Sequence, residues 1–126
     1  FNHRFGLDDM VLIKENHINL NNGIKNTMEL LNKNMKKNKL VEIEVRNLKE
    51  LKEAVSFSPD IIMLDNMKIR DIEKAREIAP KRIKLEVSGN ISLKNVKKIA
   101  RTGIDFISIG AITHSAKALD LSLVIE

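Results

Sequence analysis

The sequence predicts an α/β fold of the (β/α) barrel type, incomplete here at about five parallel units, and three observations carry that prediction. Short aliphatic runs begin near residues 10, 41, 61, 83 and 106, with helix-spaced segments between them. Strand, helix and strand repeated in this way make right-handed βαβ units and a parallel sheet. The third observation is parity, because side chains alternate along a strand. Glu42 and Glu44 oppose Val41, Ile43 and Val45, while Lys84, Glu86 and Ser88 oppose Ile83, Leu85 and Val87. Ser108 and Gly110 lie with Phe106, opposite Ile107 and Ile109. An open sheet covered by helices on both faces would bury such charges at a cost of several kcal/mol each unless they were paired. A barrel turns the aliphatic rows to its helices and the polar rows inward. Five strands do not close a barrel, for which about eight are usual.

Each element has its own local reason. Met10 to Ile13 is a short apolar strand ending in Lys14. Ile24, Met28, Leu31 and Met35 recur as one stripe of a helix. Val41 to Val45 alternates strictly, and Asn47 with Glu50 resembles a capping box for a helix carrying Leu48, Leu51 and Val55. Ser58-Pro59-Asp60 breaks that helix before the continuous run Ile61 to Asp65, the kind of strand found in parallel sheets. Ile69, Ile72, Ala75 and Ile78 mark a further helix, stopped by Pro80. A fourth strand, Ile83 to Ser88, precedes a helix expected to be capped by Ser92, to carry Leu93, Val96, Ile99 and Ala100, and to stop at Gly103. Phe106 to Gly110 is the fifth strand, followed by a turn through Thr113-His114-Ser115 and an apolar tail.

Composition narrows the function classes. A chain of 126 residues, 43% hydrophobic, builds one core. The net charge of +5 suits an anionic partner, but with 3% aromatic residues and no Trp or Tyr there is no stacking platform for nucleic acid. The densest basic run, Lys33 to Lys39, reads as a solvated helix end and loop. The absence of Cys removes disulfides and thiolate metal sites, and three scattered His have no zinc spacing. No apolar run approaches the roughly 20 residues of a membrane span, so a cytoplasmic protein is expected. A chain that opens on Phe1 reads as a piece of a longer protein.

In (β/α) barrels the site lies at the C-terminal strand ends. Lys14, Glu44, Asp65, Ser88-Gly89-Asn90 and Gly110 all fall there. A cation, two acids and two Gly-containing turns suit a phosphorylated, magnesium-bound substrate: glycine turns offer N–H groups to phosphate, and carboxylates suit magnesium or ribose hydroxyls. Each residue also has a plainer reading. Lys14 alone is a solvated strand-end lysine, and Glu44 and Asp65 could be ion-pair members, as Glu42, Lys84 and Glu86 are expected to be. His17 reads as a loop or cap histidine.

Five motifs in register make a resemblance specific: HRFGLDDMVLIKENHI (3–18), VEIEV (41–45), IIMLDNM (61–67), LEVSGNISLKNV (85–96) and TGIDFISIGAITHSAKALDLSLVI (102–125). Together they resemble the C-terminal portion of the quinolinate phosphoribosyltransferase family. The resemblance implies that residues 1–126 are the C-terminal part of a barrel domain, with an N-terminal domain and the early strands lying outside them. It implies phosphoribosyl transfer from phosphoribosyl pyrophosphate to quinolinate with decarboxylation, giving nicotinate mononucleotide, pyrophosphate and carbon dioxide in NAD biosynthesis, with Mg²⁺ and a homodimer or higher oligomer. His3, Arg4 and Lys14 would bind the quinolinate carboxylates, with Lys14 also near the ribosyl centre. Glu44 and Asp65 would hold ribose hydroxyls or magnesium-pyrophosphate. Ser88, Gly89, Asn90, Gly110 and His114 would bind the 5′-phosphate. Two departures stand out: Asn90 replaces a common second Gly, and an upstream Arg-Lys motif and a partner-donated arginine are missing. A molybdenum-transport-associated pyrophosphorylase-like protein and a non-catalytic phosphosugar-binding remnant remain as alternatives.

Overall fold

The strands appear where the alternation of side chains puts them. The computed structural model describes residues 10–35 and 39–112. In chain order these form β1 (Met10–Ile13), α1 (Glu15–Leu20), α2 (Ile24–Asn34), β2 (Leu40–Val45), α3 (Leu48–Ser56) and β3 (Ile61–Asp65). There follow α4 (Ile69–Ile78), β4 (Lys84–Ser88), α5 (Val96–Ala100), β5 (Phe106–Ile107) and a 3-10 turn, Gly110–Ile112. All neighbouring strands are parallel and their order in the sheet is their order in the chain, β1-β2-β3-β4-β5. Right-handed crossovers that always step in the same direction leave every helix on one face of the sheet, the winding of a barrel rather than of a doubly covered sheet.

Register sorts the side chains into rows. Ile13, Ile43, Ile62 and Leu85 stand side by side, as do Val45, Leu64, Val87 and Ile107. These rows meet Ile24 and Met28 of α2, Leu51 and Ala54 of α3, Ile72 and Ala75 of α4, and Ile99 of α5 in one apolar core. Burial of such side chains contributes about 1.5–3 kcal/mol each. The opposite face carries the rows Leu12-Glu42-Ile61-Lys84 and Glu44-Met63-Glu86-Phe106. Glu42 and Glu86 are buried there, and Ser108 Oγ donates to Glu86 Oε1 at 2.5 Å.

At the N-terminal ends of the strands the same device occurs twice. The Asp60 carboxylate accepts the Val41 N–H at 2.8 Å, and Asp105 accepts the Leu85 N–H at 3.0 Å. Each aspartate directly precedes or nearly precedes its own strand and seals a donor at the start of the strand before it. Asp105 also pairs with Lys84 Nζ at 2.8 Å and Arg76 Nη1 at 3.2 Å, so the expected ion pair of Lys84 is present. Arg76 further donates to the carbonyls of Ala79 and Pro80, closing the end of α4.

Two local expectations differ from the structure, and one helix was not announced by the sequence. Helix α1 had no periodic stripe to announce it; the Lys14 N–H donates to His17 Nδ1 at 3.0 Å and starts the helix, which makes His17 a cap. Helix α5 begins at Val96 rather than after Ser92: the Asn95 and Val96 N–H groups donate to the Ser92 carbonyl as a turn ahead of the helix, Asn95 Oδ1 accepts from the Ser92 N–H, and Leu93 is 94% exposed. Strand β5 is two residues long, although the Ser108 N–H still reaches the Val87 carbonyl at 2.9 Å. The Asn47 cap is as expected, with Oδ1 accepting from Lys49 and Glu50 N–H groups; the Glu50 carboxylate returns to Arg46 N–H instead of Asn47 N–H.

Burial alone would raise the Asp105 pKa, but the hydrogen bonds from Lys84 and Leu85 and the charges of Lys84 and Arg76 outweigh it and lower the value. A lowered carboxylate pKa stabilises the fold above the ordinary carboxylate range, and that contribution disappears as the pH falls through the lowered value. Asp105→Ala is therefore expected to cost about 1–2 kcal/mol at neutral pH, discounted because the side chain keeps 22% of its exposure, with the gap to the parent closing in acid. Urea unfolding at the two pH values measures both.

Candidate active site

The polar rows run upward to one rim. Lys14 follows β1 and continues the parity of Leu12, while Glu44 lies beside Met63 and Asp65 beside Ser88. By the same alternation Ser108 and Gly110 follow Phe106 on this face. The structure thus brings Lys14, Glu44, Asp65, Ser88, Gly89, Asn90 and Gly110 to the C-terminal ends of consecutive strands on one side of the sheet. His3, Arg4 and His114 lie outside the described residues.

Charge in the mouth alternates. Burial, then the neighbouring Asp65, raises the Glu44 pKa; Lys14 and Arg46 oppose the shift, and Glu15 adds to it. Arg46, directly beyond the tip of β2, pairs with Glu15 at 2.7 Å, and both side chains are nearly half exposed, so the pair itself contributes little. Its value here is a second cation near two acids. Sequence reasoning missed Arg46, since one basic residue in a helix-start turn carries no distinguishing signal.

The turn after β4 is built for close approach. Gly89 has φ +87° and Asn90 φ +52°, conformations that glycine adopts freely and asparagine tolerates. A Cβ at Gly89 would collide with the side-chain amide of Asn66, which stands at the tip of β3. Asn66 itself has φ +53°. Its Nδ2 donates to Asp65 Oδ2 at 2.9 Å, and its Oδ1 accepts from Asn90 Nδ2 at 2.8 Å. Below this turn an open cavity of ≈ 350 Å³ is lined by Ser88, Gly89, Asn90, Ser108 and Gly110. Small residues and main-chain groups there suit a tetrahedral oxyanion. Asn66 was not singled out from the sequence, and Ser108 was placed on the polar face without a site role; position within the strand-end motif was the available signal for both.

Among the described residues no three His, Asp or Glu side chains gather closely enough to hold a metal ion. Glu44 and Asp65 supply two hard oxygen donors, which fits a magnesium ion that arrives already held by phosphate oxygens rather than one caged by protein.

Fold and rim together define a barrel-type α/β domain with acids, cations and a glycine turn gathered at its C-terminal strand ends. Residues 1–124 match the model of the quinolinate phosphoribosyl transferase C-terminal domain, and the chain belongs to this family. It is 42% identical to the chloroplastic nicotinate-nucleotide pyrophosphorylase [carboxylating] of Oryza sativa subsp. japonica, over 99% of the chain and 38% of that protein. It is 45% identical to the probable nicotinate-nucleotide pyrophosphorylase [carboxylating] of Methanocaldococcus jannaschii, over 96% of the chain and 45% of that protein. The solved nicotinate-nucleotide pyrophosphorylase of Francisella tularensis superposes with a TM-score of 0.84 at 52% identity, covering 97% of this chain and 43% of that one. The chain spans less than half the length of these relatives.

A raised carboxyl pKa means that the folded state holds a proton the unfolded chain has released, so ionised Glu44 costs stability above both values. Glu44→Gln is accordingly expected to raise the thermal midpoint at neutral pH, with the gain fading as the pH falls through the Glu44 range. Differential scanning calorimetry across that range gives the comparison, and a variant less stable at neutral pH would contradict it.

Proposed function

We propose that this chain forms the C-terminal part of the barrel of an enzyme that transfers a phosphoribosyl group from phosphoribosyl pyrophosphate to quinolinate. The observation that carries the reading is the convergence of Lys14, Glu44, Asp65 and the Ser88–Asn90 turn on one rim, in a chain of the quinolinate phosphoribosyltransferase family. The ring nitrogen of quinolinate bonds to the anomeric carbon as pyrophosphate leaves. The carboxylate next to that nitrogen then departs as carbon dioxide, a proton takes its place, and nicotinate mononucleotide remains.

The residues divide the work by charge. A dianionic acceptor needs fixed cations, supplied by Lys14 and, by family resemblance, His3 and Arg4. Glu44 and Asp65 take the ribose hydroxyls and stabilise positive charge as it develops on the ribosyl ring. Ser88, Gly89, Asn90 and Gly110, with His114 by resemblance, take the 5′-phosphate. Mg²⁺ carried on the pyrophosphate would neutralise charge on the leaving group, and Glu44 and Asp65 are the protein oxygens that would hold it where they do not hold the ribose hydroxyls.

The reading extends to the whole protein. Early strands outside this chain would close the barrel of which it is the C-terminal part, an N-terminal domain would accompany it, and the assembly is a homodimer or higher homo-oligomer with no nucleic-acid partner. No helix among the described residues is long and apolar enough to cross a membrane. A cytoplasmic location is part of the proposal, whereas the rice relative is named as chloroplastic. The relatives described above favour this reading over the molybdenum-transport one.

The parent protein carrying this chain is expected to convert quinolinate and phosphoribosyl pyrophosphate to nicotinate mononucleotide, followed by chromatography. Lys14→Ala and Asp65→Ala should each lower kcat/KM by about 100-fold or more. No product from the parent, or ordinary rates from both variants, would refute the assignment.

A further inference from the structure

One side chain ties together the two ends of the mouth. Asn66 follows Asp65 at the tip of β3, and its N–H donates to the Ser88 carbonyl at 2.9 Å. Both ends of its amide are used: Nδ2 holds Asp65 Oδ2 at 2.9 Å and Oδ1 receives Asn90 Nδ2 at 2.8 Å. The amide has only this consistent orientation, because a flip would set nitrogen against nitrogen and oxygen against carboxylate. The line of amides continues, with Asn95 Nδ2 donating to the Asn90 carbonyl at 2.9 Å and Asn95 Oδ1 accepting from the Ser92 N–H at 2.8 Å. A Cβ at Gly89 would overlap the Asn66 amide and force it to shift, and the φ of +87° disfavours a side chain there in any case.

Asn66 is exposed, so these bonds do not serve the core. Holding Asp65 by Oδ2 leaves its other oxygen for a ligand hydroxyl, and holding Asn90 sets that carboxylate against the phosphate-receiving turn, whose own shape is also held by Asn95. We propose that Asn66 is a positioning residue that clamps the Asp65 carboxylate to the Ser88–Asn90 turn, fixing the distance between the hydroxyl-binding and phosphate-binding ends of one sugar-phosphate pocket. The inference rests on the phosphoribosyl reading above and adds a residue and a geometric role to it. The clamp matters only to a ligand that engages both ends at once. Inorganic phosphate, which engages one end, is indifferent to it.

Asn66→Gly in the parent protein is the clean test, because glycine keeps the left-handed backbone and deletes both side-chain bonds. In the steady-state assay, inhibition by ribose 5-phosphate is expected to weaken about tenfold, the effect of about one lost hydrogen bond to a charged group. Inhibition by inorganic phosphate and the KM for quinolinate should stay within about twofold of the parent. Equal weakening of both inhibitors would mean that Asn66 only shapes the turn, and no weakening of either would mean that it positions nothing; each overturns the inference. Gly89→Ala should be less damaging in the Asn66→Gly background than in the parent, because the amide it strikes is gone. Equal damage in both backgrounds would overturn the contact. A parent protein without turnover would instead overturn the phosphoribosyl reading, and this inference with it, whereas an active parent with an unaltered variant overturns the inference alone.

Discussion

Strand parity is the constraint on which the rest of the molecule depends. With five parallel strands in chain order and every crossover stepping the same way, one set of alternate side chains must meet the helices and the other must meet whatever fills the concave side. Ile43, Ile62 and Leu85 belong to the first set, Glu44, Glu86 and Asp65 to the second. A slip of one residue in any strand would send its carboxylates into the helix layer and its aliphatic row into the mouth. The register that builds the core therefore also aims the polar groups, and stability and chemistry cannot be altered independently along these strands.

The two ends of the sheet are finished differently. At the start of the strands, Asp60 and Asp105 each accept a main-chain N–H from the preceding strand, and Asp105 collects two cations besides. Both aspartates there are answered by groups within the protein. At the far end, glycine and two asparagines in left-handed conformations hold the chain open, and Glu44 sits with its carboxyl raised by burial and by Asp65. Charges at that end are only partly balanced, which is the condition for receiving an anion or a cationic centre from outside.

Much of this was legible in the sequence, for definite reasons. Alternation in Val41 to Val45 and the run Ile61 to Asp65 gave strands with correct faces, and Asn47 with Glu50 gave the start of α3. These signals are local and repeat over several residues. Helix α1 was not legible, because six residues are too few for a stripe and its start depends on one bond between Lys14 and His17. Ahead of α5 the Asn95 side chain bonds the Ser92 N–H and the Asn90 carbonyl, contacts of the folded turn that a Ser92 cap signal in the sequence does not encode. At the site, Lys14, Glu44, Asp65 and Gly89 could be placed because strand ends are predictable once strands are. Asn66 could not, since its partner Asn90 is 24 residues away and only the folded sheet brings them together.

Consecutive strand order has a kinetic consequence as well. Each unit docks on the one made just before it, so the loop to be closed at every step is about one helix and two turns long, and the entropy of closure stays small. Such a chain can assemble from its first unit onward while synthesis continues, adding one strand at a time to an existing edge. The growing edge always exposes unpaired main-chain groups until its successor arrives, so the hazard during assembly is mispairing with a neighbouring nascent chain rather than tangling within one.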